Sequence, residues 1–256
     1  MYRERLVSTD TSSSQSARAL QAQLLDWHDF RHQIPDQAPA GALQALTAWQ
    51  AERLKKTHED LYKDPCYRPG LVFLLTDLYA PASMTRRDDN IDRIFPRMVT
   101  WLPDNLLATL AALIELNHVT QRLDLALLEK LSQLGADPAR LDTESYCMAF
   151  RAGDISQRMR QIALVEKVGR QLDSYVRNRT LGWLLSMSRA PAEMARLEDL
   201  HSFLHRGYRA FRAMDRVDAL ISELVIRESL VLEQIMSGQP DPLALPDSLD
   251  RGNVRP

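Results

Sequence analysis

Residues 104–135 have the sequence DNLLATLAALIELNHVTQRLDLALLEKLSQLG, and this stretch decides the fold class. Apolar residues recur along it at every third or fourth position, which is the period of a helix with a buried face. Asp104 follows a proline and is typical of a helix start, whereas Gly135 is typical of a helix end. The stretch therefore predicts a helix of about thirty residues that is capped by Asp104 and continues to Leu134.

Helical patterns also cover most of the chain on either side of this stretch. Several of them begin at a capping Ser, Thr or Asp or end at Pro or Gly. Residues 71–79 are apolar nearly all round and could also form a buried strand, but no partner strand is evident elsewhere. The predicted helices span residues 15–33, 41–63, 71–79, 104–134, 142–153, 154–188 and 215–236, with further helical segments from Thr85 through a kink or break at Pro96 and from Ala192 to Phe211.

Together these patterns predict an all-α fold, a single helical-bundle domain of about eight or nine helices. Two long helices, residues 104–134 and 154–188, are expected at its centre. We expect a flexible N-terminal segment over residues 1–13, the helical domain over residues 14–238, and an extended C-terminal tail over residues 239–256.

The composition excludes several classes of enzyme. Nine glycines among 256 residues amount to about half of the usual frequency of roughly 7%, too few for a glycine-turned β-sandwich. The phosphate-binding motifs GxGxxG and GxxxxGKS/T are absent, as is the nucleophile motif GxSxG, so the sequence gives nucleotide-binding and α/β-hydrolase folds no support. The net charge of −2 gives the whole molecule no strong attraction to nucleic acid or to an anionic membrane.

The cysteines and the apolar stretches predict a cytoplasmic protein. Cys66 and Cys147 form no CxxC motif, and two thiols in a chain of this length suit a reducing compartment. Cys147 lies in an apolar context and is expected to be buried and inert. The first residues lack the apolar core of a signal peptide, and the longest mainly apolar stretch, residues 106–116, is about half of a membrane span.

Several short motifs resemble a family of uncharacterised bacterial all-helical proteins. They lie between residues 67 and 237 and consist of Phe73-Leu-Leu-Thr-Asp-Leu-Tyr79, Arg87-Asp-Asp-Asn-Ile91-Asp-Arg93, Pro96-x-Met98, Arg160-Gln-Ile162 and Gly207-Tyr-x-Ala-Phe-x-Ala-Met214. The resemblance implies a self-contained helical domain. It transfers no catalytic residue, because the family has no established activity.

Two Glu-x-x-His units carry the strongest chemical signal: Glu115 with His118, and Glu198 with His201. At positions i and i+3 of a helix, both side chains share a face and can bind one metal ion. Ferritin-like di-iron and di-manganese bundles use two such units with further glutamates from other helices, and Glu166 is the candidate here. The pattern supports the hypothesis of a ferritin-like or heme-oxygenase-like di-metal site with oxidative chemistry. The same residues are also typical of hydrogen-bonded structural groups, which is the interpretation that we favour.

Two histidine pairs, His28 with His32 and His201 with His205, have the i,i+4 spacing of a metal-binding pair. Neither pair contains the glutamate of the HExxH motif that is typical of zincin metalloproteases. We therefore expect histidines at the surface or at an interface rather than zinc ligands.

Arginines cluster in two segments. Arg86, Arg87 and Arg93 surround a predicted helix start, where guanidinium groups and the helix N-terminus can bind a phosphate or a carboxylate. Arg209 and Arg212 alternate with aromatic residues, as in contacts with nucleic acid. Helix capping, ion pairs and a solvated helix face explain both clusters as well, and we favour this explanation.

The sequence therefore predicts a cytoplasmic helical protein that acts by binding, as a regulatory or protein-interaction module without an evident catalytic site. We expect its partner to be another protein or a second copy of the chain, bound through the helical seam within residues 192–211. We expect no membrane, no nucleic acid and no cofactor. The first alternative is a helical-bundle metalloprotein with di-iron or di-manganese. The second is a protein that binds anions or nucleic acid through its arginine clusters.

Overall fold

The computed structural model describes residues 2–32, 41–78, 94–177, 198–214 and 216–246. Every regular element among them is helical, which confirms the all-α prediction. A π-helical turn, Leu74–Leu78, extends the fifth helix, and a 3₁₀ turn, Pro138–Arg140, precedes the eighth. The helices are α1 (Tyr2–Ser8), α2 (Gln15–Arg31), α3 (Ala42–Thr57), α4 (Glu59–Lys63), α5 (Arg68–Phe73), α6 (residues 94–101), α7 (Asp104–Gln133), α8 (Thr143–Arg151), α9 (Ile155–Val176), α10 (Glu198–Arg212) and α11 (Val217–Ser237).

Helix α7 lies at the centre of the fold and packs against α2, α3, α8 and α9. It has 30 residues and is followed by Gly135 with a left-handed φ of 70°, as predicted. Asp104 does not cap this helix, because the N-cap residue is Pro103. The Asp104 carboxylate instead accepts hydrogen bonds from Ser14 and Ser16. It thereby ties the start of α7 to the start of α2.

Helix α9 runs antiparallel to α7, and side-chain hydrogen bonds fix their alignment. Gln161 donates to the Thr120 hydroxyl at 2.8 Å, and the hydroxyl groups of Tyr175 and Thr109 are 3.1 Å apart. Asp154 caps α9 by accepting from two backbone N–H groups, as its position before the helix predicts. The structure describes this helix to Val176, and the remainder of the predicted helix lies outside the described residues.

The N-terminal residues, expected to form a flexible segment, contain helix α1. Leu6 is completely buried against Leu24, Phe95 and Leu107. The Gln21 amide donates to the backbone carbonyls of Leu6 and Thr9, at 2.6 and 3.1 Å. Leu6 thereby completes an apolar cluster that α2, α6 and α7 leave open.

The predicted helix over residues 41–63 is two helices, α3 and α4, separated at His58. This residue leaves the helical conformation, with φ −111° and ψ 32°. The change of direction lets His58 contact Glu228 while Asp60 forms two hydrogen bonds with Arg227, which is completely buried. Both contacts connect the break to α11, so a tertiary interaction overrides the local helical pattern. By contrast, α6 continues through Pro96 to residue 101.

Helix α10 turns its apolar seam inward, onto α5. Phe211 is buried, and Tyr208 packs against the same apolar cluster. Gly207 lies so close to Phe73 that an added Cβ would be 2.8 Å from the ring. Leu204 is 38% exposed and lies at the edge of the packed surface. This part of the seam, expected to join two copies, is thus largely used within one chain.

Residues 239–246 of the expected extended tail follow α11 without forming a helix. Leu243 and Leu245 pack against an apolar cluster of α3, α7, α8 and α11. The Gln234 side chain donates to the Ala244 carbonyl at 2.8 Å, which holds the segment in place. Of the helices in the described part of the chain, none has both the length and the apolar character to cross a membrane.

Helices α9 and α11 lie close together at Gly169. A Cβ added there would lie 2.5–2.7 Å from three carbon atoms of Ile221. Gly169→Ala is therefore expected to destabilise the protein by about 1–3 kcal/mol through overpacking, despite the better helix propensity of alanine, worth about 1 kcal/mol. Urea denaturation would measure the change. The double variant Gly169→Ala/Ile221→Ala should lose less stability than the two single variants together, because the smaller side chain at position 221 makes room for the added methyl group. Fully additive losses would contradict the contact.

Candidate functional site

A chamber with a volume of about 330 Å³ lies between the helices of the bundle and is partly open to solvent. Among the described residues, helices α3, α7, α9 and α11 form most of its wall, and α5, α8 and α10 contribute further side chains. Leu204 of α10 contributes to the wall although it is partly exposed, so the chamber comes near the surface there. Interiors of folded proteins rarely contain a void larger than a water molecule. A chamber of this size is therefore the main candidate for a functional site.

The wall of the chamber changes from apolar to polar along α7. The α7 side chains that line it begin with Leu110, Leu113 and Ile114 and continue with Asn117, Thr120, Gln121 and Asp124. They recur at helical spacing and therefore lie on one face of α7, over a length of about 21 Å.

Helix α9 shows the same change in the reverse chain direction. Its lining residues begin with Arg158 and Gln161 and continue with Ile162, Val165, Val168 and Leu172. Because α7 and α9 are antiparallel, the polar ends of both stripes face one another. The chamber thus has an apolar end, to which Phe73, Phe203 and Phe211 add aromatic rings, and a polar end.

Asp124 and Gln50 form the centre of the polar end. The Gln50 amide donates to the Asp124 carboxylate at 2.9 Å, and the Tyr146 hydroxyl donates to the Gln50 carbonyl at 3.4 Å. Asp124 is 2% exposed. Burial raises the pKa of Asp124 to about 6, and the Gln50 hydrogen bond and the Arg158 charge only partly oppose the shift.

A second carboxyl in the chamber wall, that of Glu228, is partly exposed and has the opposite electrostatic environment. Arg53 of α3 contacts both of its oxygen atoms at 2.7 Å, and the His58 ring lies 2.9 Å from one of them. Burial alone would raise the pKa of Glu228, but the charge of Arg53 and the hydrogen bonds from His58 and Arg53 outweigh it and lower the pKa to about 2. Glu228 is therefore fully ionised, and its charge is balanced inside the wall.

Several polar side chains of the wall have hydrogen-bonding capacity that the described residues leave unused, among them one ring or guanidinium nitrogen each of His58 and Arg53. The Asn117 amide nitrogen is buried and has no acceptor among the described residues. Arg158 makes one long hydrogen bond, 3.4 Å to Gln161, and its guanidinium lies over the Phe150 ring at 4.5 Å. No carboxylate in the described part of the chain forms an ion pair with Arg158. Both groups are donors, so the unused capacity favours a ligand with acceptors.

The residues of the metal hypothesis form other contacts. Glu115 pairs with Arg160 of α9, and Glu166 pairs with Arg170 on its own helix. His118 lies against the rings of Trp27 and Phe30, and burial, followed by the charge of Arg122, lowers the pKa of its imidazole. His201 stacks on His205, while the side chain of Glu198 lies outside the described residues. Among the described residues, no group of three or more His, Cys, Asp or Glu side chains is arranged to hold a metal ion.

The arginines of the anion hypothesis are only partly described. Arg86, Arg87 and Arg93 lie outside the described residues. Arg209 and Arg212 are exposed on α10, and Arg212 donates to the Val176 carbonyl at 3.2 Å. Neither of these two lines the chamber. Cys147 is buried as expected, and burial raises the pKa of its thiol.

Sequence reasoning did not identify Gln50, Asn117, Asp124 or Arg158 as site residues. A signal for part of the site was present, because Asn117 and Asp124 occur at helical spacing within a largely apolar helix. Polar residues on a buried face need partners inside the protein. The partners themselves came from helices far away in the sequence and could not be inferred from spacing.

These features define an all-helical protein with an internal, amphipathic chamber. The chain belongs to the family described as a domain of unknown function, DUF8198, whose model matches residues 29–242. This match confirms the resemblance to an uncharacterised family and extends it toward the N-terminus. No curated protein and no solved structure matches the chain.

The two carboxyls of the chamber wall predict opposite effects of an isosteric amide. Glu228→Gln should destabilise the protein at pH 7 by about 2 kcal/mol or more, because it leaves the Arg53 charge uncompensated. Breaking a fully buried ion pair costs about 3–5 kcal/mol. The expected cost is lower here because the Glu228 side chain is 22% exposed. Since folding lowers the pKa of Glu228, the wild-type stability from this group is present above pH 4.5 and is lost toward pH 2. Urea denaturation at several pH values measures this; equal loss of stability at pH 7 and pH 2 would argue against it.

Asp124→Asn should have the opposite effect and stabilise the protein at neutral pH. Folding raises the pKa of Asp124, so the native state binds a proton that the unfolded chain releases, and wild-type stability falls as pH rises from about 4 to about 6. The asparagine variant should therefore be more stable than wild type at pH 7, by up to about 3 kcal/mol, and the advantage should shrink at pH 4. A destabilised variant at pH 7 would contradict the assigned environment of Asp124.

Proposed function

We propose that this protein is a small-molecule-binding module whose ligand occupies the chamber between α3, α7, α9 and α11. The observation that carries the proposal is the chamber itself, about 330 Å³ within a packed helical interior. Small-molecule sites have volumes of roughly 300–1,000 Å³, are lined mainly by apolar side chains, and contain a few polar groups that orient the ligand. The chamber has each of these properties.

The shape of the chamber favours an elongated and largely apolar ligand. Its wall follows two long helices, and its apolar part extends from Leu113 and Val165 to Phe73 and Leu172. On α7 and α9, the polar lining residues are confined to one end of each helix. A ligand with polar groups throughout would leave several of them without partners at the apolar end, at a cost in binding free energy.

Binding, rather than catalysis, agrees best with the chemistry of the wall. The Glu228 carboxylate is held by Arg53 and His58. Asp124 is held by Gln50, and the nearby Cys147 thiol is kept neutral by burial. A ligand that binds the folded state alone stabilises it by mass action, which would make the protein responsive to ligand concentration. Such a response to ligand concentration supports a regulatory or carrier role. A dimer formed through the seam of α10 has less support, since Tyr208 and Phe211 of that seam already pack within the chain.

A cavity-filling substitution provides the direct test. Val225 lines the chamber, whereas the next residue, Ile226, is 53% exposed and does not. Val225→Phe places a ring in the chamber and should weaken binding of the neutral fluorescent probe N-phenylnaphthylamine at least tenfold, which corresponds to about 1.4 kcal/mol. Ile226→Phe should leave the affinity unchanged within about twofold, a difference of about 0.4 kcal/mol. Fluorescence titration measures both.

Leu113→Phe is the second cavity-filling variant, on the opposite wall, in case Val225→Phe folds poorly. Circular dichroism and thermal unfolding would establish that each variant is folded. If wild-type protein does not bind the probe, or if the cavity-filling and surface variants bind it equally well, the chamber is not the binding site and the proposal fails.

A further inference from the structure

The polar end of the chamber contains charges that select among apolar ligands. Among the described lining residues, four are charged at neutral pH: Arg53, Asp124, Arg158 and Glu228. Arg53 and Glu228 are paired at 2.7 Å and balance one another. The specificity of the chamber for a head group therefore depends on Asp124 and Arg158. This inference rests on the proposed function and concerns the chemical class of the ligand.

Asp124 is the weaker of the two determinants. Its carboxylate already accepts a hydrogen bond from Gln50, and burial raises its pKa to about 6. A neighbouring anion would raise this pKa further, since like charges favour the neutral form. Asp124 can thus become neutral in the complex, and a neutral carboxyl group can donate a hydrogen bond to an oxygen of the ligand.

Arg158 keeps its positive charge under all conditions in which the protein is folded, because a guanidinium is not deprotonated in proteins. It has one long hydrogen bond, to Gln161 on its own helix, and no carboxylate partner among the described residues. The packing of its guanidinium over Phe150 positions it beside the chamber. A planar guanidinium binds a carboxylate through two parallel hydrogen bonds, the geometry that best uses its donors.

The side-chain amide of Asn117 likewise favours an anionic head group. The buried Asn117 amide nitrogen is a donor, so it too requires an acceptor. A cationic head group would bring further donors, place a like charge beside Arg158 and leave Asn117 unsatisfied. A neutral alcohol would supply one acceptor and no charge. The anion is the head group that fits both Arg158 and Asn117.

We propose that the chamber binds a long-chain aliphatic monocarboxylate, with its carboxylate on Arg158 and its hydrocarbon chain directed toward Leu110 and Leu172. The antiparallel arrangement of α7 and α9 sets this direction, because the polar ends of both lining stripes coincide. Each methylene that enters the apolar part should strengthen binding about fourfold until the chamber is full.

Displacement of N-phenylnaphthylamine tests the head group with three ligands of equal chain length: dodecanoate, dodecanol and dodecylamine. Dodecanoate should displace the probe at a concentration at least tenfold lower than dodecanol, the range expected for charge-assisted hydrogen bonds. Dodecylamine should be the weakest. If the alcohol equals the carboxylate, or if the amine binds best, the head-group assignment is wrong while the proposed function stands.

Paired variants locate the carboxylate. Arg158→Gln should abolish the preference for dodecanoate over dodecanol, whereas Arg160→Gln, which changes an arginine of the same helix that pairs with Glu115 outside the chamber wall, should keep it. Asp124→Asn should strengthen dodecanoate binding at pH 7 several-fold, since it removes a like charge. A ligand held by Asp124 would show the reverse pattern in both chamber variants, and this result would overturn the proposal.

Arg158→Lys separates charge from geometry and covers poor folding of the glutamine variant. It keeps a positive charge but cannot form two parallel hydrogen bonds, so it should retain part of the preference for the carboxylate. If Arg160→Gln abolishes the preference for dodecanoate over dodecanol and the Arg158 variants keep it, the carboxylate does not bind at Arg158. If wild-type protein does not bind N-phenylnaphthylamine at all, the proposed function itself is wrong.

Discussion

Helix α7 packs against helices on several sides, so the polar side chains on its inner face depend on partners inside the protein or in the chamber. This constraint organises the interior. Thr109 contacts Tyr175, Thr120 accepts from Gln161, and Asp124 accepts from Gln50. An unsatisfied buried polar group costs free energy comparable to the loss of a hydrogen bond or more. The partners on α3 and α9 are therefore as necessary to the fold as the leucines of the core.

The same constraint explains why the chamber has two different ends. The polar residues of α7 that line the chamber occur from Asn117 onward. Gln161 at the start of α9 is the partner of Thr120, because the two helices are antiparallel. Buried ion pairs, Arg53 with Glu228 and Arg227 with Asp60, hold α11 against α3 and α4. These pairs fix the position of α11 by direct contacts, so this wall of the chamber is not defined by apolar packing alone.

Local sequence signals predicted the features that depend on local interactions. The helical period of apolar residues predicted α7 and the described part of α9. Asp142 and Asp154 marked the starts of α8 and α9, and Gly135 marked the end of α7. Features that depend on distant contacts were not predicted. The break at His58 follows from its contact with Glu228, 170 residues away, and the burial of Leu6 follows from a cluster assembled by three other helices. Glu115 illustrates the same limit, because its pairing with Arg160 of another helix, not its spacing from His118, decides its role.

The two ends of the chamber wall set different conditions on a molecule that fills it. At the polar end, Asn117 and Arg158 offer donors that a water molecule or a ligand with acceptors can satisfy. Between Leu110 and Phe211 the α7 and α10 side chains of the wall are apolar, and a buried water there lacks the two or more polar partners that it needs. A molecule that is polar at one end and apolar over the rest therefore matches both parts of the wall at once.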